Sequence, residues 1–535
     1  MAARGRSSRL ATPWRVTPDL ARTVDGPYRD QDMSSPASRG RLAFLAIPAL
    51  AAALSGCAGG TDPGPQTTTG SGPVRTETEH PKALTQAKPK PIPGPAPLAG
   101  LQDDRVAYWD PTQVDIPARI AMAADLGAKQ LRVDLPWWKV AVARPKKPTD
   151  PKDPAYDWKR FDQIVAEAKR HGIEVLFSVW GTPAWARDPA AAALYESENA
   201  RGRGADVFAI RPANATDYGA FAIAAATRYV PQGVLRWEGW NEPNIIKSLL
   251  PQFEARDGAW VNVSAAVYSD LQKAFYAGIK SVAPNAEVAG LSTAPAGDTQ
   301  PKGPLDRTLV ATFLQELNSE ALRPPMDVVS HHPYPAQLPT DKPFAGASYI
   351  DLYNLDRLES ALDAGYLAGR PLWLTEFGFP TEAVGDYPFK VSESKQAEYL
   401  SDAYRRVRTD PRVKLLTWFF LSDNQNWKSG LTTEDGRKKP AYQAFSLPLS
   451  PSTTKPVNAG TPVLMSGQVR LATGATTVSI EQSAGGSWTA LKPLDTKADG
   501  SFVFQIRPSV TTKYRAKWSS GSTSRESLPV EIVVS

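Results

Sequence analysis

The sequence predicts a (β/α)8 barrel followed by a small antiparallel β-sandwich. Apolar, strand-like runs alternate with helical periodicity from about residue 100 to about residue 450, and eight such runs occur. After residue 450 the pattern changes to short alternating strands separated by Gly, Ser and Asp turns. An open doubly wound sheet is the alternative for the first part, but no GxGxxG or P-loop motif follows any of the strands.

The strands and helices follow one another in a regular order. We expect the barrel strands at Gly100–Trp109, Lys129–Leu135, Glu174–Trp180, Val234–Trp240, Glu287–Leu291, Asp327–His331, Pro371–Phe377 and Val413–Phe420. Helical periodicity is clear at Ile116–Leu126, Tyr156–His171, Asp270–Val282 and Ser392–Arg408. Gly127 and Gly172 each follow one of these helices, which is typical of the position just beyond a helix C-terminus. The expected sandwich strands are Val463–Leu471, Thr477–Gln482, Ser487–Leu491, Phe502–Ile506, Lys513–Lys517 and Val530–Val534.

The N-terminal segment is predicted to be a targeting signal rather than part of the barrel. The apolar run Leu42–Leu54 has 13 residues, a length that suits a signal peptide and is too short to cross a bilayer. It leads into Leu54-Ser55-Gly56-Cys57, which resembles the lipobox of bacterial lipoproteins and contains the only cysteine of the chain. The resemblance implies lipid attachment at Cys57 and a place on the extracellular face of a bacterial cell membrane. The alternative is an ordinary secretory signal beside a buried cysteine.

Three segments therefore precede the barrel. Residues 33–57 are the expected signal peptide, since Met33 starts a signal of ordinary length, and residues 1–32 are expected to be a non-native or disordered extension. Residues 58–98 are rich in Pro, Gly, Thr and Lys and have few large apolar side chains, so we expect a disordered tether. The barrel is then expected at 99–450 and the sandwich at 451–535, the latter as a spacer or, alternatively, as a glycan-binding module.

Charge and composition exclude several classes of function. Residues 1–56 carry eight Arg and four Asp, or +4 of the total net charge of +6, so the rest of the chain is close to neutral. A nearly neutral body gives no electrostatic reason to expect a nucleic-acid partner. The single cysteine excludes a disulfide within the chain, and no His or Cys cluster has metal-ligand spacing, so we predict no metal and no organic cofactor.

Two glutamates stand at the ends of predicted barrel strands, where such barrels place their catalytic groups. The fourth strand ends in Trp240-Asn241-Glu242-Pro243, and Pro243 stops the strand directly after Glu242. In the seventh strand Leu372, Leu374 and Glu376 share a face by alternation, so leucines that fill the barrel interior would place Glu376 at its mouth. Cleavage of a glycosidic bond needs one protonated and one ionised carboxyl group on either side of that bond.

The segments around both glutamates resemble a known group of enzymes. Trp240-Asn241-Glu242-Pro243-Asn244 and Thr375-Glu376-Phe377-Gly378 resemble the signatures of clan GH-A of the glycoside hydrolases, the 4/7 superfamily. Family 39 and related bacterial lipoproteins are the most similar members, and the resemblance covers roughly residues 100–448. It implies a retaining double displacement with Glu242 as acid/base, Glu376 as nucleophile and no cofactor.

The same resemblance implies roles for further residues around the mouth. Arg132 is expected to support the nucleophile and keep it ionised. Asn241 is expected to bind the sugar 2-hydroxyl, and Trp180 is expected at the site after the third strand. By contrast, Glu238 shares strand parity with Glu242 and is expected to be a paired charge inside the barrel.

Residues of the sixth and eighth strands complete the expected site. His332 and Tyr334 are expected near the nucleophile, and the sequence leaves open whether His331 or His332 faces it. Trp418 is expected under the sugar that is cleaved.

The sequence thus predicts hydrolysis of an O-glycosidic bond in an extracellular or cell-wall polysaccharide. Two alternatives remain open, namely a surface lipoprotein that binds glycan without cleaving it and a transglycosylase that uses the same two glutamates.

Overall fold

The computed structural model describes residues 95–109, 112–201, 205–339, 344–346, 348–383, 387 and 389–535. The predicted extension, the signal peptide with Cys57, and residues 58–94 of the tether lie outside the described residues. All elements given below belong to one compact unit, Ala83–Ser535. Among the described residues, no helix combines the length and the hydropathy that crossing a membrane requires.

Eight parallel strands close into a barrel, as the sequence predicts. The first ten strands of the chain are β1 (Leu98–Gln102), β2 (Gln130–Pro136), β3 (Glu174–Trp180), β4 (Arg236–Gly239), β5 (Phe253–Arg256), β6 (Ala259–Asn262), β7 (Glu287–Thr293), β8 (Val328–His331), β9 (Leu372–Phe377) and β10 (Val413–Phe419). The order around the barrel is β1-β10-β9-β8-β7-β4-β3-β2, and the remaining two strands, β5 and β6, pair with each other as an antiparallel hairpin.

Helices surround the barrel and supply its outer core. They are α1 (Asp104–Tyr108), α2 (Ile116–Asp125), α3 (Trp137–Val140), α4 (Lys159–Arg170), α5 (Pro189–Asn199), α6 (Ala215–Tyr229), α7 (Ser264–Val282), α8 (Val310–Leu317), α9 (Asp356–Asp363), α10 (Glu393–Val407) and α11 (Pro440–Ser446). In α4 the buried residues Phe161, Ile164, Val165 and Ala168 follow the helical spacing and face this core.

The first strand is shorter than the sequence predicts. The sequence predicts a strand over Gly100–Trp109, but β1 ends at Gln102 and residues 104–108 form α1. The reason is local, because the Asp103 side chain accepts a hydrogen bond from the backbone N–H of Arg105 and caps the helix. This turn places Asp104 directly after the end of the strand. At the other end, β1 begins at Leu98, within the segment expected to be tether.

The barrel interior has an apolar lower part. Leu176, Ala289, Val328, Trp373 and Leu415 form one cluster that is separate from the outer core. Leu372 and Leu374 belong instead to the outer core, so the expectation that they fill the interior is wrong. Between Leu372 and Thr375 the strand alternates, but Trp373 and Thr375 are the residues that face inward.

The C-terminal residues form antiparallel sheets, as expected for a sandwich. The strands are β11 (Leu449–Pro451), β12 (Val463–Gln468), β13 (Thr477–Ser483), β14 (Thr489–Ala490), β15 (Leu494–Asp495), β16 (Ser501–Ile506), β17 (Thr512–Ser520), β18 (Thr523–Glu526) and β19 (Val530–Ile532). One sheet has the order β11-β12-β16, and the other is built on β13 and β17. We call residues 449–535 the C-terminal module.

Candidate active site

A buried arginine organises the polar part of the barrel interior. Arg132 lies on β2 with no solvent exposure. Its Nη1 donates to Gln102 Oε1 and to Glu376 Oε1, both at 2.7 Å. Its Nη2 donates to Ser178 Oγ at 3.0 Å and to Glu238 Oε1 at 2.5 Å. The guanidinium therefore joins four strands of the barrel and bonds two carboxyl groups.

Glu238 is the structural partner of this arginine. It is fully buried, and its Oε2 accepts a hydrogen bond from Ser330 Oγ at 2.6 Å. Burial alone would raise the pKa of Glu238, but the Arg132 guanidinium and the hydrogen bonds hold this pKa at about 2. Glu238 thus stays ionised and sits where the sequence predicted a paired interior charge.

Glu376 reaches the interior because β9 contains a bulge. Leu374 pairs with Leu416 and Phe377 pairs with Trp418, so three steps along β9 match two steps along β10. The extra residue resets the alternation, and Glu376 follows Thr375 onto the inner side. Arg132 holds Oε1 of Glu376, and the Tyr334 hydroxyl donates to Oε2 at 3.0 Å.

Burial and Arg132 act in opposite directions on the charge state of Glu376. Burial raises its pKa to about 7, although His332 and Arg132 both act to lower it and the nearby Glu242 adds to the increase. Arg132 thus favours the ionised carboxyl of Glu376 against the effect of burial.

Glu242 stands on a strained piece of backbone after β4. Its φ is +41°, and its N–H donates to the carbonyl of Ser292, whose own φ is +42°. Left-handed conformations cost energy for residues with a β-carbon and persist where surrounding contacts enforce them. Here the two strained residues support each other and turn the Glu242 carboxyl toward Glu376.

The two glutamates face each other closely. One carboxylate oxygen of Glu242, one of Glu376 and one ring nitrogen of His332 all lie within 4.8 Å of one another. These three groups could also hold a divalent cation. However, Arg132 already supplies a positive charge to Glu376 at 2.7 Å, so the arrangement suits proton transfer better than metal binding.

The structure resolves which histidine faces this pair. His332 Nδ1 lies 3.0 Å from Glu242 Oε1, and its Nε2 lies 3.1 Å from Ser292 Oγ. Burial would lower the pKa of His332, but Glu376 and Glu242 more than offset this and the pKa is raised. His331 points away, with its ring nitrogens on Thr293 Oγ1 and the Ile350 carbonyl.

The two asparagines beside Glu242 have different tasks. Asn241 Oδ1 accepts from Arg132 Nη2 at 2.8 Å, and a guanidinium can only donate, so the Asn241 amide group is oriented with its N–H2 away from Arg132. Asn244 is fully buried and ties the loop after β4 to the carbonyls of Ala294 and Thr308. Asn241 therefore contacts the site, and Asn244 fixes the loop that carries Glu242.

The aromatic residue of β10 at the site is Phe419 rather than Trp418. Trp418 has no exposure, packs edge-on against Phe377 in the outer core and donates from Nε1 to the Ser429 carbonyl. Because side chains alternate along a strand, Phe419 takes the inner side and packs against Tyr334. The prediction for Trp418 is therefore wrong by one residue.

Trp180 ends β3 close to the mouth, and two aspartates near it were not singled out from the sequence. Trp180 is 6% exposed and packs on Phe208. Asp134 lies two residues after Arg132 on the same strand, and its Oδ1 is 3.6 Å from Arg132 Nη1. Asp104 follows β1 and is also buried. Asp134 could have been found from the sequence, because it lies two residues after Arg132 and therefore on the same face of the strand. Asp104 could not, because the sequence predicts that the first strand continues past this residue.

No protein-family model and no curated protein matches the chain. Among solved structures, it is similar to a family 39 glycoside hydrolase from the gut symbiont Bacteroides cellulosilyticus WH2, at 18% identity and a TM-score of 0.48, with 78% of this chain and 80% of that one covered. It is also similar to a glucosidase from Croceicoccus marinus, at 13% identity and a TM-score of 0.49, with 82% of this chain and 98% of that one covered. A third similar structure is a GH39 enzyme from Xanthomonas axonopodis pv. citri, at 16% identity and a TM-score of 0.48, with the same coverages of 82% and 98%.

These identities and TM-scores are low, so the similarities establish nothing about activity. The fold class rests on the chain's own closed barrel of eight parallel strands, with Glu242 and Glu376 facing each other at its mouth.

Proposed function

We propose that the protein is a retaining O-glycoside hydrolase that acts on an extracellular or cell-wall polysaccharide. The observation that carries the proposal is the close approach of Glu242 and Glu376, whose nearest oxygens lie within 4.8 Å. Retaining enzymes separate their carboxyl groups by about 5–5.5 Å, whereas inverting enzymes leave about 6.5–9.5 Å for a water molecule. The close pair favours the retaining geometry.

The surroundings of the two glutamates divide the roles between them. Glu376 accepts hydrogen bonds at both oxygens, from Arg132 and Tyr334, and such donors stabilise a carboxylate that acts as a nucleophile. Glu242 is the more exposed of the two, with its side chain 18% accessible, and contacts His332, which can exchange a proton with it. We therefore assign Glu376 as nucleophile and Glu242 as acid/base.

The reaction then has two steps. In the first, a Glu376 oxygen bonds to the anomeric carbon, the bond from that carbon to the leaving oxygen breaks, and Glu242 gives its proton to that oxygen. In the second, Glu242 takes a proton from water, the water oxygen bonds to the anomeric carbon, and Glu376 leaves as a carboxylate. The raised pKa of Glu376, caused first by burial, fits a pair that keeps one proton between its members near neutral pH.

Hydrolysis of aryl glycosides and wall polysaccharides tests the proposal. We would compare fragment 83–535 with Glu376→Gln and Glu242→Gln, using Glu316→Gln on α8 as a matched control because burial also raises the pKa of Glu316 to about 7. We expect the Glu376 variant to lose at least about 1,000-fold in kcat and the control to keep its activity. A parent that binds a polysaccharide without cleaving it would support the glycan-binding alternative. Products joined to an added acceptor sugar would indicate a transglycosylase.

We also propose that a lipid on Cys57 holds the enzyme at the extracellular face of the bacterial cell membrane. The support is the sequence alone, namely the apolar run Leu42–Leu54 and the lipobox-like segment that ends at Cys57. Labelled palmitate should enter the parent in a bacterial host and not Cys57→Ser. Labelling of both proteins would contradict this assignment.

A further inference from the structure

The mouth of the barrel holds a second group of polar residues directly beside the nucleophile. Asp134 pairs with Ser178 across β2 and β3, and Pro136 pairs with Trp180. Ser178 contacts Arg132, so Trp180, two residues further along on the same side, lies one level closer to the opening. Asp104 joins this level from the end of β1, and its charge interacts with both Asp134 and Glu376.

Each of the two aspartates accepts a hydrogen bond from a neighbouring side chain. Tyr108 Oη donates to Asp134 Oδ2 at 2.8 Å. Gln102 Nε2 donates to Asp104 Oδ1 at 2.8 Å, and the other end of the same amide accepts from Arg132. Both aspartates are at least nine-tenths buried. Their positions are therefore coupled to the arginine that holds Glu376.

Two buried polar atoms at this level have no hydrogen-bond partner among the described residues. They are Oδ1 of Asp134, an acceptor, and Nε1 of Trp180, a donor. Burial raises the pKa of Asp134, and Arg132 and the nearby indole N–H of Trp180 act to lower it, so donor and acceptor face the same space. Buried polar groups are rarely left without partners, and a polar ligand at this place would satisfy both.

The charge of the mouth limits what that ligand can be. Five carboxyl groups meet here, from Asp104, Asp134, Glu238, Glu242 and Glu376. Burial, together with the repulsion between these groups, raises the pKa of Asp104, Asp134 and Glu376, so the group as a whole resists further negative charge. Among the described residues, Arg132 and His332 are the cationic groups at this place, and they already contact Glu238, Glu376 and Glu242. A ligand carboxylate would therefore find no free cationic partner here, whereas hydroxyl or ammonium donors of a ligand can bond the carboxyl oxygens.

We infer that Asp104, Asp134 and Trp180 form the recognition site for the glycone, the sugar whose anomeric carbon bonds to Glu376, and that this site accepts sugars presenting hydroxyl or ammonium donors and excludes uronic acids. The inference rests on the proposed function, because it takes Glu376 as nucleophile. It makes the two aspartates specificity-determining residues. Asp134 Oδ1 accepts a hydrogen bond from a ring substituent, and the Trp180 N–H donates to an oxygen of the same sugar.

Three aryl glycosides with the same leaving group test the inference: a hexoside, a hexosaminide with a free amine, and a hexuronide. In the parent we expect kcat/KM for the hexuronide to be at least about 100-fold below the better of the other two. In Asp134→Asn and in Asp104→Asn we expect that difference to narrow by about tenfold or more, chiefly through KM. A larger loss for the hexosaminide than for the hexoside would identify an amine as the donor. Asp125→Asn, an exposed change outside the barrel mouth, is the control and should keep the parent's ratios.

Several results would overturn the inference. One is a parent that prefers the hexuronide, and another is an unchanged ratio in both folded aspartate variants. Ligand-observed NMR with the methyl glycosides of the same sugars gives a readout that needs no catalysis. If the parent binds the uncharged or cationic glycosides over the uronide but cleaves none, the recognition site stands and the proposed function fails.

Discussion

The residues of the candidate site act as one network in which Arg132 is the common partner. It bonds Glu376, Glu238 and the Asn241 amide within a space that has almost no contact with solvent. Removing one partner of a buried ion pair costs about 3–5 kcal/mol because the other charge is left uncompensated. Conservative substitutions in this network should therefore change both the catalytic rate and the free energy of unfolding. Substitutions outside the network should change only one of these two quantities.

The activity of the enzyme should fall as pH rises above about 7. Burial raises the pKa of Glu376 to about 7 in contact with Glu242, so the pair holds a proton below that pH and loses it above. The leaving oxygen needs this proton, and kcat/KM for a substrate with a poor leaving group should therefore decline on the alkaline side. A dinitrophenyl glycoside needs no proton, and with it Glu242→Gln should show no alkaline decline. Parent activity that continues to rise above pH 8 would contradict this account.

His331 should make the fold less stable in acid. Burial lowers the pKa of this imidazole from 6.5 to about 4, although its hydrogen bonds with Thr293 and Ile350 act in the opposite direction. The unfolded chain takes up this proton near pH 6.5 and the folded chain only near pH 4, so the stability contribution is complete above pH 6.5 and is lost as pH falls between these values. The loss amounts to about 3 kcal/mol. Urea unfolding at several pH values should show that this part of the pH dependence disappears in His331→Gln and remains in His171→Gln.

At the scale of the elements, irregular strand ends create the site. The bulge in β9 turns Glu376 inward, and a similar register shift lies between Leu291 and Thr293 in β7, where Ser292 meets Glu242. Such bulges redirect a side chain without changing the rest of the strand. The regular parts of the strands form the barrel, and their last residues carry the chemistry.

This division explains what the sequence could and could not predict. Alternation of strands and helices predicted the barrel, and two local motifs pointed to Glu242 and Glu376. The inward direction of Glu376 was expected for the wrong reason, since Leu372 and Leu374 lie in the outer core. Period-two alternation cannot reveal a bulge, because the extra residue depends on contacts with the neighbouring strand. In the last barrel strand the alternation is regular, so one of the adjacent residues Trp418 and Phe419 had to face the site. The prediction chose Trp418, and the residue at the site is Phe419.

Two helix-terminating glycines should differ in what they tolerate. Gly127 after α2 and Gly172 after α4 have φ values of +80° and +67°, which residues with a β-carbon rarely adopt. A β-carbon at Gly127 would also lie 2.8 Å from the Arg470 β-carbon, whereas nothing lies within 4 Å at Gly172. We expect Gly172→Ala to cost about 1 kcal/mol and Gly127→Ala about 3 kcal/mol in the free energy of unfolding. Equal losses in denaturant titrations would show that the contact with Arg470 is unimportant.

At the scale of the whole molecule, the C-terminal module is joined to the barrel by specific contacts. Arg408 of the barrel donates to Ser501 Oγ at 2.6 Å, and Arg525 of the module reaches Asp125 at 2.5 Å. The fully buried Arg470 places its guanidinium carbon 3.8 Å from the ring centre of Tyr404 and 3.9 Å from that of Phe445. Buried contacts of this kind favour unfolding of barrel and module as one unit.

Replacing Arg470 should therefore weaken the joint between the two parts. Arg470→Ala removes both cation–π contacts and leaves a cavity, so we expect a loss of about 2–4 kcal/mol and a split of the thermal transition into two. Arg507→Ala, an exposed change in the same module, is the matched control and should keep one transition. Calorimetry of the three proteins gives the answer, and a single unshifted transition in Arg470→Ala would contradict a coupled joint.

The central claim is that Glu376 is the nucleophile and Glu242 the acid/base of one retaining site. The most direct measurement is the anomeric configuration of the glycosyl azide that each alanine variant forms from a dinitrophenyl glycoside in the presence of azide. In Glu376→Ala, azide can attack only from the side that the carboxylate has vacated, so the account predicts a product of inverted configuration. In Glu242→Ala it attacks the glycosyl-enzyme and gives the retained configuration. Exchanged configurations, or two variants that azide does not rescue, would contradict the account.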